Sequence, residues 1–153
     1  HRQSSAASDV YKRQEYILPI GVADIKRAGD DVTIVSFGKI IKEAYKAADL
    51  LQQEGISCEI IDLRTVRPLD INTVLESVKK TNRLVVLEEA WPFGNISTEI
   101  TYQVQEKVFD FLDAPVVKIN TADTPAPYSP VLLEEWLPNS SDVVRAVKKV
   151  LYK

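Results

Sequence analysis

Leu84-Val85-Val86-Leu87 narrows the possible folds more than any other segment. A strand with one wet face alternates apolar and polar residues, whereas four apolar residues in a row, bounded by Arg83 and Glu88, suit a strand covered on both faces. Such strands belong to parallel sheets with helices above and below, and the rest of the chain supplies matching pieces. Val32–Ser36 is a β-branched run, followed by Gly38 and then by Ile41, Ala44, Ala48 and Leu51 at helical spacing. Gly55 suits the left-handed residue that ends a helix, and Cys58–Leu63 reads as the next strand. Asp70 can cap a helix carrying Ile71, Val74, Leu75 and Val78 on one face, with Lys79 and Lys80 at its electronegative end.

After Leu84–Leu87, expected at the centre of the sheet, Asn95 or Ser97 opens a helix with the stripe Ile96, Ile100, Val104 and Val108. Val116–Asn120 follows as a strand, then a proline-rich stretch from Thr124 to Pro138, then a helix from about Ser141 that buries Val143, Val144, Val147 and Leu151. An edge strand is expected over Pro19–Ile25. Strands alternating with helices of this length need right-handed crossovers, so the predicted fold is an open three-layer α/β/α sandwich with a mostly parallel five-stranded sheet. Residues 1–14 are polar or small, with Arg2, Lys12 and Arg13 against Asp9, and read as a disordered or non-native tail; residues 15–153 form one domain.

Several chemistries are excluded at once. His1 is the only histidine and stands at the start of the tail, so neither a Ser-His-Asp nor a Cys-His centre can be assembled inside the domain. One cysteine, Cys58, makes neither a disulfide nor a zinc knuckle and suits a reducing, cytoplasmic setting. A net charge of −3 offers no basic footprint for nucleic acid, and no apolar run approaches the roughly 18 residues of a membrane span. Gly-x-Gly-x-x-Gly and P-loop cradles are both missing.

Ligands of such sheets bind beyond the carboxyl ends of the strands. There, Gly38 at a helix start can hold an anion on free backbone N–H groups or simply close a cap. Arg64, after the second predicted helix-flanked strand, can grip a carboxylate or phosphate or can anchor its own loop through Asp62 or Asp70. Glu88 and Glu89 are adjacent and therefore point to opposite faces of a strand, which removes them as an acid/base pair. Residue types and spacing alone stop at an α/β domain with no catalytic centre.

Four segments go further: Asp62-Leu63-Arg64-Thr65-Val66-Arg67-Pro68-Leu69-Asp70, Lys80-Thr81-Asn82-Arg83-Leu84, Phe111-Leu112-Asp113-Ala114-Pro115, and Asp123-Thr124-Pro125-Ala126-Pro127-Tyr128. In this order, across residues 16–153, the chain resembles the C-terminal, transketolase C-terminal-type domain of pyruvate dehydrogenase E1 β subunits. The resemblance implies a thiamine-diphosphate- and magnesium-dependent enzyme that decarboxylates pyruvate and acetylates the lipoyl group of E2. It implies as partners an E1 α subunit, a second β subunit and the small basic subunit-binding domain of E2.

The same resemblance assigns no catalytic, cofactor or metal residue to this segment, because the activating glutamate and the active-site histidine belong to a preceding domain; the segment alone is expected to be inert and to bind no cofactor. Its implied role is assembly, with Asp113 and the terminal carboxylate on Lys153 as acidic elements of the E2 dock. Other readings are the β-subunit domain of a branched-chain 2-oxoacid dehydrogenase, another transketolase-family enzyme, or a stand-alone module binding a small anion near Gly38 and Arg64.

Overall fold

The computed structural model describes residues 17–153; the expected tail, together with Glu15 and Tyr16, lies outside them. The strands are β1 (Asp24–Arg27), β2 (Val32–Ser36), β3 (Cys58–Asp62), β4 (Leu84–Leu87) and β5 (Val117–Ile119). They form one sheet in the order β1-β3-β2-β4-β5, in which β1 alone runs antiparallel. The helices are α1 (Ile41–Gln53), α2 (Ile71–Thr81), α3 (Ile96–Val108), α4 (Pro130–Trp136) and α5 (Ser140–Val150). This is the predicted mostly parallel, five-stranded α/β/α sandwich.

The strand faces show why the apolar runs are continuous. Val32, Ile34, Ile60, Val85 and Leu87 pack on one side under α1 and α5, with Ala44, Ala47, Leu51, Val143 and Val147. Val35, Ile61, Leu84 and Val86 pack on the other under α2 and α3, with Val74, Val78, Ile100 and Val104. Each fully buried aliphatic side chain contributes about 1.5–3 kcal/mol of transfer free energy, so the two-sided strands are the main source of stability.

Four details differ from expectation. The middle strand is β2, not β4, because the chain steps from β2 out to β3 and then crosses back over β2 to lay down β4. The edge strand begins at Asp24 rather than Pro19, after a turn at Gly21 (φ 78°) whose N–H donates to Thr65 Oγ1. The proline-rich stretch contains α4, which takes Pro130 in its first turn, where a missing N–H costs nothing. The last helix starts at Ser140, because Asn139 and Asp142 form a reciprocal capping box. The helix ends at Gly55 and Asp70 follow expectation: Gly55 has φ 76°, and Asp70 accepts from Thr73 N and also from Ala23 N at 2.9 Å.

Candidate functional site

The carboxyl ends of β2 and β3 carry the two residues singled out for anion binding. Gly38 (φ 68°) opens a short 3-10 turn into α1, is exposed, and has open space where a side chain would stand. Arg64 also takes a left-handed conformation (φ 57°), its N–H donating to Asp62 Oδ1 at 3.0 Å. Its guanidinium turns to β1, where Nη2 lies 2.5 Å from Asp24 Oδ2. That is the geometry of a loop anchor, tying the β3 end to the edge strand. The hydrogen bond from Lys26, opposed by some desolvation and reinforced by the charges of Lys26 and Arg64, holds the Asp24 carboxyl below its usual range.

At the end of β4 the two glutamates part as the strand geometry requires: Glu88 is 1% exposed and Glu89 is exposed. Glu88 Oε2 accepts from Ser97 N in the first turn of α3 (3.0 Å), and Oε1 accepts from Asn120 Nδ2 beyond β5 (3.3 Å). Burial pushes its carboxyl above the usual value, against the pull of those hydrogen bonds and of Lys118. The side chain therefore pins the start of α3 to the strand ends. Each of its oxygens has a partner, and it does not face Glu89.

A second buried carboxylate, Glu59, escaped sequence reasoning. It accepts from Ser77 Oγ (2.6 Å), from Gly29 N (3.3 Å) and from the Lys80 ammonium, while Ser77 also meets Thr33 Oγ1 at 2.6 Å. Burial pushes Glu59 up, and the bonds from Lys80, Ser77 and Gly29 outweigh it, so the carboxyl lies below its usual range. The available signal was a glutamate inside a strand followed 18 residues on by a serine on the apolar side of α2. This network braces α2 against the sheet. Among the described residues no group of three or more His, Cys, Asp or Glu side chains is placed to hold a metal ion.

Of the two positions expected to dock a partner, Asp113 lies on the Phe111–Pro115 loop, while Lys153 donates its N–H to Lys148 O and lines a different groove with Leu50, Val144 and Lys148. Asp113 N donates to Asn82 O (2.9 Å), and Asp113 Oδ2 faces Arg83 Nη2 at 3.1 Å. Arg83 Nε also donates to Val150 O (3.2 Å), and Tyr152 Oη donates to Asp113 O (3.2 Å), which brings the segment leading into Lys153 onto the Phe111–Pro115 loop. Beside it runs a groove of about 410 Å³ lined by Phe109, Leu112, Asp113 and Pro115. Phe109, Phe111 and Tyr152 are 58%, 44% and 74% exposed, so a half-exposed carboxylate sits among uncovered aromatic rings. Trp91 and Trp136 serve a different end, both donating to Thr124 O at 2.9 Å and fixing the loops around α4.

A family model described as the transketolase C-terminal domain matches residues 21–143. The pyruvate dehydrogenase E1 component subunit beta of Rhizobium meliloti (strain 1021) is 51% identical over 145 residues, 95% of this chain and 32% of that protein. Its counterpart in Rickettsia bellii is 50% identical over 135 residues, covering 88% and 42%. The mitochondrial counterpart in Dictyostelium discoideum is 45% identical over 143 residues, covering 94% and 40%. The chain thus spans less than half the length of these curated relatives.

Among solved structures, a split-gene transketolase described as an inactive beta4 tetramer superposes with a TM-score of 0.78 at 30% identity, over 90% of this chain and 44% of that one. A 2-oxoglutarate:ferredoxin oxidoreductase from Magnetococcus marinus shares the fold, with a TM-score of 0.59 at 12% identity over 97% of this chain and 24% of that one.

Proposed function

Since the chain belongs to the transketolase C-terminal domain family, we propose that it is the assembly and docking domain of a pyruvate dehydrogenase E1 β subunit acting in the cytoplasm. In this reading the complete enzyme decarboxylates pyruvate with thiamine diphosphate and magnesium held by other segments, and acetylates the lipoyl group of E2. The described residues contribute rigid support: β-strand ends closed by Glu88 and Arg64, and loops tied down by Trp91 and Trp136. The chain pairs with E1 α and a second β subunit through the surfaces that its own core leaves uncovered.

One observation carries the docking part of the reading: Tyr152 Oη donates to Asp113 O, which joins the acidic loop to the turn that leads to Lys153, beside exposed phenylalanines. A carboxylate rimmed by aromatic rings suits a small basic domain, since opposite charge speeds encounter and apolar contact holds the product. Arg83 neutralises Asp113 only in part, because the Asp113 side chain stays 55% exposed and open to a second cation. The test mixes the complete β subunit carrying Asp113→Ala with the subunit-binding domain of E2. A rim carboxylate acts mainly on association rate, so roughly a threefold to tenfold loss of affinity and a shallower salt dependence are expected. An unchanged affinity and salt slope would remove Asp113 from the dock.

A further inference from the structure

The two edges of the sheet are protected differently. At one edge β1 carries Asp24, Lys26 and Arg27, and its pairing with β3 is interrupted by a bulge between Ile25 and Arg27. Charges and bulges of this kind keep a foreign strand from adding to an edge. At the other edge β5 is three residues long and carries Lys118, but it has no bulge and pairs with β4 in regular parallel register, Val85 with Val117 and Leu87 with Ile119.

That register fixes which backbone groups of β5 are free. Glu88 N donates to Ile119 O, and Thr121 N donates to Ala90 O, so residues 117, 119 and 121 turn their backbone groups inward. Alternation then turns the N–H and C=O of Lys118 and Asn120 outward. None of these four groups has a backbone or side-chain partner among the described residues. Along this edge lies a groove of about 420 Å³ between β5, the Trp136–Pro138 segment and α5. On its α5 wall Ala146 offers a small apolar surface. Lys149 stands in no ion pair among the described residues, nor does Glu135, which also lines the groove, whereas Arg145 and Lys148 are paired with Asp142 and Glu54.

We propose that this edge is a docking site for an extended peptide, which adds to β5 as a sixth strand through Lys118 and Asn120 and sets a carboxylate against Lys149. Two unpaired N–H groups and two unpaired C=O groups at strand spacing are the chemistry that recognises a strand, and the open groove beside them gives its alternate side chains a place to lie. Lys118, Arg145 and Lys149 outnumber Glu135 and Asp142 along the groove, which favours an acidic residue. The site is separate from the Asp113 corner and does not depend on the docking reading given above.

The probe is a blocked peptide of sequence Val-Thr-Glu-Thr-Val, added to the full chain while backbone amide exchange is followed. Exchange at Lys118 and Asn120 is expected to slow, with no change at β1. Methylating one alternate set of peptide nitrogens should weaken binding at least about tenfold, the effect of losing two backbone hydrogen bonds, while methylating the other set leaves it intact. Lys149→Glu, a surface change, should also weaken binding. Equal effects of the two methylated sets, or slowed exchange elsewhere with none at Lys118 and Asn120, would overturn the proposal. So would a chain that protects those amides by itself as a dimer, since the occupant would then be a second copy.

Discussion

Arg83 Nη2 lies 3.1 Å from Asp113 Oδ2, and the same guanidinium donates through Nε to Val150 O at 3.2 Å. One side chain therefore ties the start of β4 to the Phe111–Pro115 loop and to the end of α5. The two partners are unequal. The pair with a half-exposed carboxylate is worth at most about 1 kcal/mol, while a charged donor to a carbonyl adds about 1.5–3 kcal/mol. Asp113→Ala should therefore lower unfolding stability by less than about 1 kcal/mol. Arg83→Ala should cost about 2 kcal/mol or more, because it also leaves Val150 O without its donor. Urea denaturation of both variants checks the order, and equal costs would mean that the carbonyl bond contributes nothing.

The two buried glutamates should give pH dependences of opposite sign. Burial raises the folded value of Glu88 above the usual 4.5, so the folded state binds its proton more tightly and stability falls as pH rises from there through the folded value. Glu88→Gln removes that loss, and its stability relative to the parent should improve with rising pH. Glu59 lies below 4.5 when folded, so its contribution is present above that value and disappears as pH falls through the folded one. Glu59→Gln should cost most near neutrality and little in acid. Denaturant melts of both variants between pH 3 and pH 8 test this; slopes of the same sign would refute the assignment.

The sandwich was legible because the strands buried on both faces are wholly apolar over Leu84–Leu87 and, over Val32–Ser36, a β-branched run in which only Thr33 and Ser36 are polar. Periodicity could not rank them, since β2 and β4 are equally buried and only the crossover order makes β2 the middle strand. α4 was illegible because its apolar residues Val131 and Leu132 are exposed and so carry no core-facing stripe, and because the prolines around it read as loop. Glu59 was hidden for a related reason: an isolated charge in a strand reads as a solvent-facing position, and its partners Gly29, Ser77 and Lys80 come from two other parts of the chain. Asp113 could be marked by resemblance, but its bonds to Arg83 and Tyr152 span the fold and leave no local pattern.

Two glycines should respond differently to alanine. A methyl at Gly29 would overlap the Cys58 carbonyl carbon and the Glu59 nitrogen, both backbone atoms of β3 that cannot move aside. Overpacking typically costs about 1–3 kcal/mol, and overlap with immobile backbone puts Gly29→Ala at the upper end of that range, with a weakened Gly29–Glu59 bond. At Gly38 nothing stands within 4 Å of the new methyl, and only the left-handed backbone (φ 68°) opposes it. Gly38→Ala should therefore cost about 1–2 kcal/mol and leave the structure folded. Thermal melts of the two variants, with amide exchange at Glu59 for the first, separate steric overlap from backbone strain.

Cys58 should behave as a core residue rather than as a reactive thiol. It begins β3, is 1% exposed, and burial pushes its thiol up to about 11, with the charge of Arg27 only partly opposing this. The thiolate, which is the nucleophile, is therefore scarce near neutrality and is also shielded from solvent. β3 pairs with β1 on one side and β2 on the other, so exposing Cys58 requires opening the sheet rather than fraying an end. Native protein should resist dithionitrobenzoate and release one equivalent of chromophore only in guanidinium. Its labelling rate under native conditions should follow global stability across the Arg83, Gly29 and Glu59 variants. Rapid labelling of the folded parent, or a rate indifferent to those substitutions, would show that β3 opens locally and that the Glu59 network does not hold it.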